Sequence, residues 1–418
     1  MKKDAGERRL RVVIDGSAFE NLRHAGQRRY LVDLLTGLYQ LRAQIDVVLL
    51  GSPGPAPDDL AALFGGNSRW ARVGIRNEGG WRRHGSQLRY ASLIRSLRPD
   101  VFHALHTMIP LLTRVPIVAT VYDLMFELFD EYEVSRSSRE WRQYRWSVRR
   151  GVKRLISISE TTAADLTALW HVPADRIDII HLGTGIGGEG AKETAELNEL
   201  VRKHPSLVSG QWILSPYNLE RRKNLETLMV AFAGNLSSWP DSVLVLFGRA
   251  AVDPERERLW RERAAALGIA GRIVLTGPVS DETLALLYGR SAAFVFPSLY
   301  EGFGLPLLEA MKCGACVIAR KASAMQEIVG DSGLLVETAD PAAISGAMAR
   351  VLGEDSLNAS LRDRARKRAS QFTIASMAAQ TLQTYRRATG GRRGKETALG
   401  RSFESVSGSG GDDQRGGR

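Results

Sequence analysis

A chain of 418 residues is too long for one ordinary hydrophobic core, and its 44% apolar and 25% charged residues are those of a globular protein. No run approaches the roughly 18 apolar residues of a membrane span, and the opening MKKDAGERRLRVV has no secretory core, so the protein is expected in the cytoplasm or peripherally on the inner face of a membrane. The formal net charge of +11 favours anionic partners, phosphate and acidic lipid first. Nucleic acid is not expected, because no binding module is recognisable.

In chain order, RLRVVID at 9–15 reads as a first strand, followed by the glycine-bearing loop 21–29 and a helix with an apolar face through 30–39. Further strands are predicted at 46–50, 101–103, 117–121, 155–159 and 177–180, most of them separated by helical stretches. After a polar, acidic connector near 187–200 the pattern restarts, with strands at 212–215, 243–247, 273–275, 294–296 and 317–319. Apolar strands alternating with helices imply a parallel sheet covered on both faces. The restart implies two doubly wound, Rossmann-like α/β domains facing a cleft. From residue 389 the composition collapses into Gly, Ser, Arg and Asp, too little apolar surface for a core.

The densest chemistry lies at Glu301-Gly-Phe-Gly-Leu-Pro-Leu-Leu-Glu309, directly after the apolar strand. Pro306 suits the first turn of a helix, and the loop Gly302, Phe303, Gly304, Leu305 is placed to offer backbone N–H groups beside a helix N-terminus, a natural seat for an anion. Glu301 at the strand exit and Glu309 one turn into the helix then face one crevice at the carboxyl end of the sheet. An ionised carboxylate at Glu309 suits a vicinal diol such as a ribose.

Three other features carry competing readings. Cys313 and Cys316 spell C-G-A-C without a second ligand pair, and read as small buried thiols. Gly183-Thr-Gly-Ile-Gly-Gly188 fits a dinucleotide fingerprint, but the next strand has no acid at its tip and the helical stretch 191–199 is too polar to be buried between sheets, so the segment reads as a flexible interdomain hinge. The stretch 139–154 is a helix dense in arginine. Arg139, Arg142, Arg145 and Arg149 form one stripe, with Trp141, Tyr144 and Trp146 interleaved. Either these aromatics meet an anionic membrane surface or they turn into the core beneath a solvated face.

Several segments in order resemble the retaining GT-B glycosyltransferases of family four, the group 1 sugar transferases. Glu301…Glu309 with the following AMKCG resembles that family's E-x7-E element, and Arg222-Lys223-Asn224 resembles its R-K-N. Ser157-Ile-Ser-Glu160, Ile180-His-Leu-Gly183, Val329-Gly-Asp-Ser-Gly-Leu-Leu-Val336 and Gln371-Phe372…Tyr385-Arg386 match in spacing. The resemblance implies a GT-B fold: an acceptor-side domain at 9–186, a linker at 187–204 and a sugar-nucleotide domain at 205–372. A helix at 373–388 would pack back on the first domain, ahead of a tail at 389–418.

It also implies roles. Glu309 would take the ribose hydroxyls, Glu301 the transferred sugar, and Lys223 with Arg222 the diphosphate. Asp123 would contact acceptor or sugar, Gly26 the diphosphate, and the backbone around Gly277 and Val279 the donor. The donor would be a GDP-, UDP- or dTDP-linked hexose, mannose being one candidate, and the acceptor a glycan or lipid-linked. No metal and no other cofactor is expected, since fixed cations meet the charge of the leaving group. Three positions depart from the family pattern: Arg28 at a loop glycine, Tyr122 at the usual histidine, and Tyr217 at a glycine.

Overall fold

The computed structural model describes residues 9–16, 25–51, 58–65, 71–74, 84–105, 109–110, 112–187, 193–248, 254–338 and 340–390. Two parallel sheets organise them. The first has seven strands in the order β3-β2-β1-β4-β5-β6-β7: β1 Leu10–Asp15, β2 Ile45–Gly51, β3 Ala71–Gly74, β4 Val101–Ala104, β5 Ile117–Val121, β6 Arg154–Ser157 and β7 Ile177–Ile179. The second has six, ordered β10-β9-β8-β11-β12-β13: β8 Trp212–Pro216, β9 Val243–Phe247, β10 Ile273–Gly277, β11 Ala293–Phe296, β12 Val317–Arg320 and β13 Leu334–Val336. Both orders reverse beside the first strand of their sheet, the crevice at which doubly wound folds bind ligands.

The strands form because their side chains are apolar on both faces. Val12, Val13 and Ile14 are fully buried, as are Val243 through Leu246. Edge strands β3 and β13 escape sequence reading, since Ala-Arg-Val-Gly carries little apolar signal and Leu334–Val336 is three residues long and only half-buried.

The crossing between the halves is packed through backbone. A side chain on Gly183 would overlap the backbone of Thr373 and Ile374, where the chain returns. The helix Ile374–Ala388 then lies against the helix Ala25–Gln40, and Gly37 leaves room for Ile374 and Ala378. Asp178 on β7 holds this return, accepting from Arg154 Nε at 2.6 Å and Thr384 Oγ1 at 3.0 Å and pairing with Arg387. Deeper, Tyr385 Oη meets His103 Nδ1 at 2.7 Å, while His103 Nε2 meets Thr120 Oγ1 at 2.8 Å. Burial pushes His103 down to about 3, so its ring is neutral and shares one proton across these two contacts.

The polar helical stretch after the glycine segment, expected to be too polar for burial and part of a flexible hinge, is the docked helix Ala195–Lys203. Its polar face misled the reading: Leu197 and Leu200 are buried, and Glu196 caps the second domain's Ser280 through N–H at 3.0 Å and Oγ at 2.8 Å. Residues 391–418, the bulk of the expected tail, lie outside the described residues.

Because the Gly183 contact is backbone against backbone, neither partner can rotate away. Gly183→Ala is expected to destabilise the protein by about 1–3 kcal/mol, the usual cost of overpacking, read as a fall in Tm. An unchanged Tm would mean the crossing segments separate freely.

Candidate active site

Glu301 is the centre of the site. It leaves β11 through Pro297–Tyr300, beside the turn Arg221–Lys223 that follows the adjacent strand β8. Strand adjacency therefore sets the cations against the carboxylate. Lys223 Nζ donates to Glu301 Oε1 at 2.6 Å, and Arg222 Nη1 to Oε2 at 3.3 Å. Leu299 N–H donates to the Arg222 carbonyl at 2.7 Å, and Asn224, itself at φ +55°, donates to the Pro297 carbonyl at 3.3 Å, tying the two loops together. Burial pushes Glu301 up, but Lys223 and Arg222 outweigh it and hold the carboxyl below its usual range. Arg222 is held in turn by Glu220, 2.8 Å from its Nε. Burial opposes its charge, yet Glu301, Glu220 and Asp123 together raise its pKa.

The glycine loop behind Glu301 touches the first sheet. A side chain on Gly302 would overlap the Tyr122 carbonyl, and the Thr162 hydroxyl is shared between the Tyr122 carbonyl at 3.2 Å and the Gly302 carbonyl at 3.4 Å. Asp123 follows directly. It accepts from Met125 N–H at 3.1 Å, and burial raises its pKa against the pull of Arg222 and Lys223. The Tyr122 ring turns the other way, packing edge-on to Tyr30 with centroids 5.5 Å apart. Tyr217 packs against Trp260, centroids 5.3 Å apart, beside the second-domain core.

Gly304 at φ +97° opens the helix Leu305–Lys312, with Pro306 as its second residue. Glu309 is buried and accepts from Tyr288 Oη at 3.2 Å. Burial pushes Glu309 up to about 7 despite the nearby Arg29 cation. Arg29 and Asp281 were missed as a pair by sequence reading. Arg29 Nη1 donates to Asp281 Oδ2 at 2.6 Å, joining the first turn of Ala25–Gln40 to the start of Asp281–Arg290. Their separation of 252 positions leaves no local signal. Asp33, also missed, accepts from Gly185 N–H at 3.2 Å, and burial pushes it up to about 7.

The remaining candidates sit nearby. Gly26 lies in the same first turn as Arg29, with open space where a side chain would stand. Gly277, at φ +69°, ends β10 and accepts from Gly248 N–H at 2.9 Å. Phe247 on the neighbouring strand packs on Tyr288, the partner of Glu309, and Val279 lines the same core. Phe303 and Leu305 point into packing rather than outward, Phe303 being buried. Cys313 and Cys316 are free thiols, pushed by burial to about 12 and about 11. Gly183–Gly187 forms the interdomain crossing, with Lys312 Nζ donating to the Thr184 carbonyl at 2.6 Å. Among the described residues no group of three or more His, Cys, Asp or Glu is placed to hold a metal ion.

The basic helix differs from expectation. It spans Arg139–Arg150, and Arg154 belongs to β6. Trp141 and Tyr144 turn into the core, where Trp141 Nε1 and Trp170 Nε1 both donate to Glu127 Oε1 at 2.9 Å. Trp146 remains 51% exposed among exposed arginines 139, 142, 145 and 149.

Two parallel-sheet domains facing a cleft, with a cation-bound carboxylate at a strand exit and a second carboxylate one helical turn on, define a GT-B glycosyltransferase. The comparisons agree: residues 24–185 match the model Glycosyltransferase Family 4 and residues 198–368 match Glycosyl transferases group 1, and the chain belongs to these glycosyltransferases. It is 29% identical over 305 residues to an O-antigen chain mannosyltransferase B of Escherichia coli, covering 71% of this chain and 77% of that one. It is also 29% identical over 262 residues to a serotype-specific mannosyltransferase of the same species, spanning 61% of this chain but only 31% of the relative. Sucrose-phosphate synthase from Thermosynechococcus elongatus superposes with TM-score 0.72 at 21% identity over 91% of this chain and all of that one. Anabaena HepE in complex with UDP-glucose does so with TM-score 0.70 at 16% identity, over 90% and 99%.

The buried carboxyls give a pH signature. Glu309 titrates near 4.5 when unfolded and about 7 when folded, so its contribution to stability is complete below about 4.5 and is lost as pH rises through about 7. Asp33 acts in the same direction. Tm is expected to fall from about pH 5 to about pH 8, and Glu309→Gln to flatten that fall. A slope unchanged in the variant would show that Glu309 ionises freely.

Proposed function

We propose that the protein is a retaining, metal-independent glycosyltransferase that moves a hexose, mannose among the candidates, from a GDP-, UDP- or dTDP-linked donor to a glycan or lipid-linked acceptor in surface polysaccharide biosynthesis. The buried Glu301 carboxylate with its half-buried partners Lys223 and Arg222, beside the glycine loop, carries this reading. Breaking the bond between the sugar's anomeric carbon and phosphate leaves the electron pair on a phosphate oxygen. Fixed cations stabilise that developing charge without reorganising. The acceptor hydroxyl bonds the anomeric carbon on the same face, and its proton passes to the departing phosphate oxygen. Glu301 contacts the transferred sugar, Glu309 the ribose, and Asp123 the acceptor or sugar. The family relationship supports retention, and the names of the relatives support mannose and a polysaccharide product.

Thermal stability against GDP, UDP, dTDP and ADP, each with and without chelator, tests donor and metal together. A nucleotide at about a hundred times its Kd adds ~2.7 kcal/mol to the folded state. One nucleoside diphosphate stabilising the protein in chelator is the expected result, and dependence on a divalent ion would overturn metal independence. Lys223→Ala is expected to lower kcat by about 10²–10³, the loss typical of one charge-stabilising group, with the fold retained by circular dichroism. Turnover within a few-fold of wild type would remove Lys223 from the leaving-group site.

The exposed stripe Arg139, Arg142, Arg145 and Arg149 with Trp146 supports contact with an anionic membrane surface. Sedimentation with phosphatidylglycerol vesicles but not phosphatidylcholine vesicles is expected, and Arg142→Glu with Arg145→Glu should abolish it. Equal binding to both vesicle types would reject the electrostatic contact.

A further inference from the structure

We propose that Glu327 is a positioning residue, which holds the glycine loop and Glu301 in register by reaching across the domain boundary. The proposal rests on the reading of Glu301 and Gly302–Leu305 as the donor site. Glu327 lies on the second-domain helix Ser323–Val329, yet its side-chain partners belong to the first domain. Its two carboxylate oxygens accept from Glu160 N–H at 2.9 and 3.0 Å, and one accepts from Thr161 N–H at 3.5 Å. These are the opening N–H groups of the helix Glu160–Trp170, which its own cap, Ser159, leaves open by bonding Thr162 N–H instead. Glu327 therefore completes a helix N-terminus in trans, where the helix dipole favours its charge. The same carboxylate holds His181 Nε2, also of the first domain.

From these partners the contact runs directly to the donor loop. The His181 ring sits 6.2 Å from Phe303 and 5.5 Å from Phe372, the residue just before the chain returns. Thr162, on the helix that Glu327 completes, shares its hydroxyl proton between the Tyr122 carbonyl at 3.2 Å and the Gly302 carbonyl at 3.4 Å, the two groups that meet at the donor loop. On the second-domain side, the first residue of the Glu327 helix reaches Glu301 itself: Glu301 N–H donates to Ser323 Oγ at 3.1 Å. Ser323 stands at φ +49°, a conformation unfavourable for a residue with a side chain, so surrounding contacts hold it there. Arg368 braces the far end of the helix, donating to the carbonyls of Glu327 at 2.8 Å and Ile328 at 3.3 Å. Separation of the domains would release His181, Thr162 and Glu327 together, so the loop is held in this geometry only while the domains are apposed.

Two variants, Glu327→Ala and His181→Gln, test this by kinetics and by amide exchange. In both, kcat is expected to fall about tenfold or more while donor KM stays within about threefold, the split of a group that orders the reacting geometry. Amide exchange over residues 299–305 should rise. A merely structural role would lower Tm but leave kcat at saturating donor and exchange in that loop as in wild type, and that result overturns the proposal. If Glu327→Ala fails to fold, His181→Gln decides on the same readouts. If the wild-type protein turns over no nucleotide sugar, the functional reading fails separately. Exchange at 299–305 then still decides whether Glu327 holds the loop.

Discussion

A carboxylate buried between two domains must be compensated or it will not ionise, and Glu301 obtains its compensation from Lys223 and Arg222. That requirement shapes what surrounds it. β8 and β11 must be neighbours, because each cation and its acceptor leave the carboxyl ends of adjacent strands. The two loops must be fixed to one another, which the Leu299–Arg222 and Asn224–Pro297 hydrogen bonds accomplish. The residue after Glu301 must be glycine, because the first domain's Tyr122 carbonyl occupies the space of a side chain. The ion pair also explains why two carboxylates eight positions apart behave differently. Glu301 has cations in direct contact and stays ionised. Glu309 has a tyrosine hydroxyl and a more distant arginine, and burial lifts it toward neutrality.

The parts of this arrangement legible in the sequence are those with local causes. Apolar runs between glycines and prolines give the strands, and Gly304-Leu-Pro306 gives the helix start, because each depends on residues within a few positions. Both glutamates and both cations could be named, but not the fact that Lys223 touches Glu301 from 78 positions away. Arg29–Asp281 and Glu327–Glu160 are long-range in the same way, and a single sequence holds no trace of such pairings. The basic helix divides between the two readings its sequence leaves open. Trp141, Tyr144 and Val148 recur at i, i+3 and i+7, an apolar stripe readable on a helical wheel, and only Trp146 falls on the arginine face. The linker helix erred the opposite way, since two buried leucines suffice to dock a helix whose other residues are polar.

Departures from the family pattern acquire meaning only through side-chain direction. Tyr122 and Tyr217 stand where a histidine and a glycine are usual, and each would obstruct the crevice if its ring faced inward. Both rings pack into apolar cores instead, Tyr122 on Tyr30 and Tyr217 on Trp260. Composition at a motif position is therefore a weak guide to the state of the site.

On the proposed reading, the charge balance of the site bears on catalysis. Arg222 and Lys223 face Glu301 and Glu220, with Asp123 close by and held toward its neutral form by burial. The two cations are thus neutralised within the protein and kept in place before any ligand arrives. An incoming diphosphate shares them with Glu301 rather than ordering them afresh, which is how a preorganised site avoids reorganisation as charge develops on the leaving group. Glu301, drawn less tightly to Lys223, then has lone pairs free to accept hydroxyls of the transferred sugar. One ion pair thus supports the fold and, on this reading, supplies two binding functions.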